Sequence, residues 1–358
     1  MKKIMFTLNS FGLGGIEKSA VILMNYLSQK GYEITAVVEE KKGIYLKQLD
    51  EKINIIEYTP INSSNILKRK FLNMIKRISF ILKYKNKFDF SASFATYSLM
   101  GSFVARTASK NSALWGHADY MEMYGNKEEM RSFFEKLNYN KFKHVIFVSK
   151  KGRKSFVELF PNMKEKTFEC NNLIDGKKIE ELAIEKIEYS RDESKFTFLN
   201  VGRHDEKQKQ LMRIIEASKM LKEEGMRFEI LFVGDGQDSK LYLDYIKKNE
   251  LEDVIKIIGR KENPYPYFNI ADCILLSSDY EGYPVVFLES FILNKPIITT
   301  KVSGSESIEG KYGYVVEKNK EDIYKKMKKM MQEGYQIKEK FHYEEYNNLI
   351  LEKLEKIF

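Results

Sequence analysis

Cysteine is almost missing. Cys170 and Cys273 are the only two in 358 residues, far apart and without metal-ligand company, which excludes a disulfide framework and a zinc site and fits a reducing cytoplasm. Long apolar runs are also absent. No stretch approaches the roughly 20 residues of a spanning helix. The run Ile4 to Leu8 behind Lys2 and Lys3 is too short for a signal peptide, so a soluble or peripheral protein is expected. No Asp-x-Asp pair marks the end of a predicted strand, and no metal site is expected. The net charge is +9, yet neither aromatic stacking platforms nor a nucleic-acid-binding motif accompanies it, so nucleic acid is not an expected partner.

Acidic residues are absent between Tyr58 and Phe88, where Lys68, Arg69, Lys70, Lys76, Arg77, Lys83, Lys85 and Lys87 alternate with Ile66, Leu67, Phe71, Leu72, Met74, Ile75, Ile78, Phe80, Ile81 and Leu82. Two readings of Ile66 to Phe88 stay open: a basic amphipathic helix suited to an anionic membrane surface, or a solvated helix packed on its own domain.

What is present is ample core. Hydrophobic residues make up 43% and aromatics 13%, outside the disordered range, and the length implies two domains of roughly 150 to 180 residues each. Lys2 to Leu8 reads as a strand, Gly12-Leu13-Gly14-Gly15 as a glycine-rich turn, Glu17 to Gln29 as a helix stopped by Gly31, and Ile34 to Val38 as a second strand. The second half repeats the plan. Phe196 to Val201 is a strand, Gly202 a turn, a helix through Leu211, Ile214, Ile215 and Leu221 ends at Gly225, and Phe228 to Val233 follows. Val254 to Ile258, Cys273 to Leu276, Ile297 to Thr299 and Tyr314 to Val316 are further short strands. The expected fold is α/β, two doubly wound, Rossmann-like parallel-sheet domains facing across a cleft that is the default ligand site. Residues 1–174 form the first domain, the charged stretch 175–195 a linker, and 196–340 the second domain. The C-terminal helix in 341–358 either packs back on the first domain or lies on the second.

Glu289 is the only charged side chain between Pro284 and Leu293. Pro284 favours the first helical position, and on a helix Glu289 shares its face with Val285, Val286, Ile292 and Leu293. Burying its charge without a partner costs several kcal/mol. It therefore binds a protein donor or a ligand hydroxyl, both of which remain open at this point. The loop Gly12 to Gly15 has N–H groups that can face a phosphate or sugar, but it matches neither the dinucleotide fingerprint nor the P-loop. The turn Gly202-Arg203-His204-Asp205-Glu206-Lys207-Gln208-Lys209 gathers cations suited to a diphosphate, or is a solvated charged turn.

Val201-Gly202-Arg203 with a following lysine, and Glu281 and Glu289 with Gly282 and Pro284 between them, resemble the donor site of retaining glycosyltransferase family 4, of GT-B fold. Gly14-Gly15-x-Glu17, Trp115-Gly116-His117, Val145 to Ser149, Asn171 to Asp175, Val233-Gly234-Asp235-Gly236 and Asn263-Pro264-Tyr265-Pro266-Tyr267 extend the likeness over nearly the whole chain. It implies that Arg203 and a lysine hold the donor diphosphate and that Glu289 bonds the nucleotide ribose. Glu281 then lies beside the donor sugar, His117 approaches that sugar from the first domain, and backbone N–H groups of Gly282, Tyr283, Pro284's successor Val285, and of Gly14 and Gly15, reach sugar and phosphate. The family places its lysine five residues after the arginine, where Gln208 stands here; Lys209 is preferred as the match and Lys207 remains open. The implied activity is metal-independent hexosyl transfer with retention, from a nucleotide-diphosphate sugar, UDP-linked by preference, to a glycan or lipid-linked acceptor. It needs no cofactor. Richness in lysine, isoleucine and asparagine fits an AT-rich bacterial source and cell-surface polysaccharide assembly, in the cytoplasm or peripherally on the inner face of the membrane. The competing readings are a non-catalytic nucleotide-sugar or membrane-surface binding module and an epimerase or phosphorylase on the same fold.

Overall fold

The computed structural model describes residues 1–12 and 14–358; Leu13, inside the expected glycine-rich loop, lies outside the described residues. Two units divide the chain. Met1–Ile174 together with Tyr346–Phe358 make one, and Asp175–Glu345 the other.

The first unit contains β1 (Lys3–Leu8), α1 (Gly15–Gln29), β2 (Glu33–Val38), β3 (Asn54–Glu57), α2 (Ile66–Tyr84), β4 (Phe90–Ser93), α3 (Leu99–Ala108), β5 (Ser112–Gly116), α4 (Tyr120–Tyr124), α5 (Lys127–Lys136), β6 (His144–Phe147), α6 (Lys150–Leu159) and β7 (Thr167–Glu169). The second contains α7 (Gly176–Ala183), β8 (Phe196–Val201), α8 (Glu206–Lys209), α9 (Leu211–Glu223), β9 (Phe228–Val233), α10 (Ser239–Lys248), β10 (Ile255–Gly259), α11 (Tyr265–Ile270), β11 (Cys273–Leu276), α12 (Val285–Ile292), β12 (Ile297–Thr300), β13 (Gly313–Val316) and α13 (Lys320–Glu333). The last helix, α14 (Tyr343–Glu355), delivers Ile350, Leu351 and Leu354 as buried residues.

Both sheets are parallel throughout. Their strand orders are β3-β2-β1-β4-β5-β6-β7 and β10-β9-β8-β11-β12-β13. Strands covered on both faces must be apolar nearly throughout, which is why Phe228–Val233 is buried at every position. Each order reverses direction once, between β1 and β4 in the first sheet and between β8 and β11 in the second. The connections on either side of such a reversal leave in opposite directions, and the carboxyl ends of the two strands bracket a crevice.

Residues 175–195, expected as a linker, belong to the second unit. Asp175 caps α7 by accepting from the Lys178 N–H at 3.1 Å, and the amphipathic helix buries Ile179 and Ala183 against α11 and α12. Arg191 then binds the Asp272 carboxylate through Nη2 at 3.1 and 3.0 Å and the Ile270 carbonyl at 2.6 Å. Charge read as solvated fixes the segment to its own sheet.

Beyond β8 the backbone runs unusually close to that beyond β9. Gly202 donates to the Val233 carbonyl at 3.1 Å and His204 to the Asp235 carbonyl at 2.8 Å. A Cβ on Gly234, whose φ is +154°, would strike the Gly202 carbonyl, and one on Gly236 would strike that of His204. Glycine is required at both positions because backbone occupies the space of a side chain. Gly234→Ala is expected to lower unfolding free energy by about 2 kcal/mol or more. Urea denaturation checks this, and an unchanged midpoint would contradict it.

Candidate active site

The reversal point of the second sheet is where the chemistry-bearing residues gather. Past β8, Asp205 caps the single turn α8 by accepting from the Gln208 N–H at 3.3 Å. Gln210 then takes a left-handed conformation, φ 51°, which breaks α8 from α9. Glu206 steadies the break: its carboxylate accepts from the Met212 N–H at 3.2 Å and the Tyr242 hydroxyl at 2.9 Å. Burial raises the pKa of this carboxyl.

Two positions apart on α8, the two expected lysines point in different directions. Lys207 is exposed to solvent, whereas Lys209 turns toward the loop after β11 and its Nζ donates to Glu281 Oε1 at 2.6 Å. Ser278 Oγ donates to the same oxygen at 2.7 Å, so Glu281, 7% exposed, is a buried carboxylate with both a cation and a hydroxyl. Gln208, which occupies the family's lysine position, bridges the two loops. Its Oε1 accepts from Arg203 Nη2 at 3.3 Å and its Nε2 donates to the Tyr280 carbonyl at 3.2 Å. Arg213 clamps the base of the loop, donating to the Ser277 carbonyl at 3.0 Å and to Asp279 at 2.7 Å. Arg203 is exposed.

Helix α12 begins one residue later than its proline implies. Pro284 has extended backbone, φ −60° and ψ 120°, and stands just before the first helical residue, Val285. The N–H groups of the first turn receive no side-chain cap. Glu289 is buried at 4% exposure and accepts from the Tyr265 hydroxyl at 3.1 Å. Tyr265 on α11, Ser278 and Gln208 were not singled out as partners from sequence. Tyr265 was visible only as one letter of a motif, and Ser278 and Gln208 carry no signal until the two loops are folded together. Gly282 and Tyr283 lie between the two glutamates, and the Tyr283 ring packs at 6.3 Å from that of Phe287.

The remaining predicted residues lie in the first unit. Gly14 precedes α1 without a side-chain cap, and Gly15 is its first residue. The Glu17 carboxyl group folds back, its carbon 3.2 Å from where a Gly14 Cβ would stand, and accepts from the Tyr97 hydroxyl at 3.2 Å. The positive end of α1 therefore already faces an acidic group of its own. His117 follows β5, its ring 4.5 Å from Phe94. Its Nε2 is buried without a hydrogen-bond partner. A neutral imidazole carries one N–H and one lone pair on its two ring nitrogens. Burial pushes this imidazole down to about 3. No group of three or more His, Cys, Asp or Glu able to hold a metal exists among the described residues.

Residues 183–348 match the family of glycosyl transferases group 1. An N-acetylgalactosamine-N,N'-diacetylbacillosaminyl-diphospho-undecaprenol 4-alpha-N-acetylgalactosaminyltransferase of Campylobacter jejuni is 26% identical over 93% of this chain and 91% of its own length. An uncharacterized glycosyltransferase of Methanocaldococcus jannaschii is 27% identical over 66% of this chain, a match that spans 59% of that relative. The crystal structure of Anabaena HepE in complex with UDP and glucose superimposes with a TM-score of 0.76 at 16% identity, covering 99% of this chain and all of that one. At that identity the likeness establishes the fold, two Rossmann-like parallel-sheet domains of the GT-B class.

His117 carries a pH prediction with a definite sign. The unfolded chain takes up a proton near pH 6.5, whereas the folded ring resists it down to about 3, so its contribution is complete above pH 6.5 and declines as pH falls below that. The slope is at most about 1.4 kcal/mol per pH unit for one group. Urea unfolding compared at about pH 7 and about pH 5, on either side of the ordinary histidine value, should show the wild type losing more stability than His117→Gln. Parallel losses would contradict the assignment.

Proposed function

We propose that the protein is a retaining glycosyltransferase of the family 4 type, moving a sugar from a nucleotide-diphosphate sugar to a glycan or lipid-linked glycan acceptor in cell-surface polysaccharide assembly. One observation carries the reading. At the β8/β11 reversal, Arg203 and Lys209 stand on one loop and the buried Glu281 on the other, with the buried Glu289 on the helix that follows. Glycoside hydrolysis also employs two carboxyl groups, but it has no diphosphate to neutralise and gives no use to the cations.

In the proposed reaction the bond from the anomeric carbon to the diphosphate oxygen breaks, and a bond to the acceptor oxygen forms on the same face. The departing phosphate oxygen takes the acceptor's proton. Negative charge grows on the diphosphate as the bond lengthens, and Arg203, Lys209 and the uncapped N–H groups at the start of α12 are assigned to meet it, each donor being worth roughly 3 to 4 kcal/mol. Lys209 would divide its charge between Glu281 and the diphosphate, coupling the position of the carboxylate beside the sugar to occupancy of the phosphate site. Glu289, oriented by Tyr265, is assigned to the ribose hydroxyls. His117 stays neutral at physiological pH, so its role is to hydrogen-bond a hydroxyl of the donor sugar at Nε2 rather than to act as an acid. With two cations serving the leaving group, no metal is required. A UDP-sugar is the donor we favour, in keeping with the UDP bound by HepE. The diphospho-undecaprenol in the name of the Campylobacter relative supports a lipid-linked acceptor, which would place the enzyme in the cytoplasm at the inner face of the membrane.

Arg203→Ala should slow transfer about 100-fold or more, read by release of nucleoside diphosphate in the presence of acceptor; unchanged turnover would remove Arg203 from the mechanism. Activity should survive EDTA, and its loss would overturn the metal-independent reading. In thermal-shift screening against UDP-, GDP-, ADP- and CMP-sugars, the UDP-sugars should raise the melting temperature most. A larger shift with another base would reassign the donor.

A further inference from the structure

Helix α2 is apolar on its outer side as well as its inner one. Its inner side is anchored by Phe80, which packs on Tyr58, Tyr84 and Phe103, and by polar and cationic groups. Asn73 accepts from the Ile61 N–H at 2.9 Å and donates to the Ile61 carbonyl at 2.8 Å, and Lys76 donates to the Thr59 carbonyl at 2.6 Å. The Arg77 guanidinium lies over the Phe103 ring at 5.2 Å, and Phe80 is the single buried residue of the helix. Its outer side is apolar. Leu67, Phe71, Met74, Ile75, Ile78 and Leu82 are 80, 57, 50, 47, 48 and 78% exposed. At 3.6 residues per turn these six fall within a sector of about 100°, directly opposite Asn73 and Phe80. Exposed lysines flank the stripe, Lys70 on one side and Lys68, with Lys83 further round, on the other.

Soluble domains rarely hold a contiguous apolar stripe in water unless something covers it. Charge selects the cover. A second copy would bring two rows of cations together with no carboxylate between Tyr58 and Phe88 to separate them. An anionic bilayer, by contrast, offers acyl chains to the stripe and phosphates to its margins. No helix among the described residues is long and apolar enough to cross a membrane. We propose that α2 docks the first domain on an anionic lipid bilayer, lying in the plane of the surface with Phe71, Ile75, Ile78 and Leu82 at the acyl boundary and the flanking lysines at the headgroups. This goes beyond the transfer reaction and does not depend on it.

The test is co-sedimentation of the full chain with phosphatidylcholine vesicles that contain phosphatidylglycerol or lack it. Binding is expected only with phosphatidylglycerol at low salt, and weaker at about 1 M salt, where the screening length is about 3 Å. Phe71→Ser/Ile78→Ser/Leu82→Ser, all on exposed positions, should keep the wild-type melting temperature and lose at least roughly tenfold in partitioning. Lys68→Gln/Lys70→Gln/Lys83→Gln should lose roughly 100-fold. As a second readout, Phe71→Trp should show blue-shifted emission on vesicle binding and quenching by brominated acyl chains; the one native tryptophan, Trp115, is buried at 2% exposure. Absence of binding at low salt, equal binding by the serine variant, or a lipid-free dimer that the serine variant dissolves would each overturn the proposal. Partitioning does not involve sugar transfer, so its failure would leave the transferase reading standing.

Discussion

The reversal of winding between β8 and β11 is the constraint on which the second domain's site depends. Helices cover both faces of a parallel sheet, so backbone emerging from the strand ends is blocked everywhere except where successive connections part. There the chain after β8 bends over Gly202 and is pinned to the chain after β9, with carbonyl groups filling the space that side chains at Gly234 and Gly236 would need. That bend carries Gln208 and Lys209 to the loop after β11. The ion pair between Lys209 and Glu281 then ties the two loops together, so a buried carboxylate that would be costly alone becomes a fixed feature.

Much of the architecture was legible in the sequence because parallel strands are short apolar runs between turn-formers. The run at 228–233 and the helix carrying Leu211, Ile214, Ile215 and Leu221 needed no tertiary information. Burial of Glu289 was legible for a related reason, since its helical neighbours are all apolar. What could not be read was direction. Lys207 and Lys209 flank the expected position, and the preference for Lys209 carries no partner with it; the helical turn of α8 sets which of them meets Glu281. Tyr265 reaches Glu289 from another helix, 24 residues away, a pairing without periodic signature. Residues 175–195 read as a linker because their charge resembles solvation, while the partners of Arg191 lie some 80 positions downstream.

The same distinction explains α2. Periodicity exposes an apolar stripe and a set of cations, but whether the stripe meets the core or the solvent follows from which side carries Asn73, Lys76 and Phe80. The first domain thus pairs a sheet built for burial with one helix whose apolar face is not buried by its own chain, and the second pairs a like sheet with a cation-bearing crevice.

The central claim is that the crevice beyond β8 and β11 holds a diphosphate against Arg203 and Lys209. Calorimetric titration of UDP against UMP isolates that contact, since the two ligands differ only in the second phosphate. A charge-assisted contact of about 1.5 to 3 kcal/mol predicts that UDP binds the wild type about 10- to 100-fold tighter and that the preference largely disappears in Lys209→Met. Equal affinity for the two nucleotides, or a preference untouched by the substitution, would contradict the account.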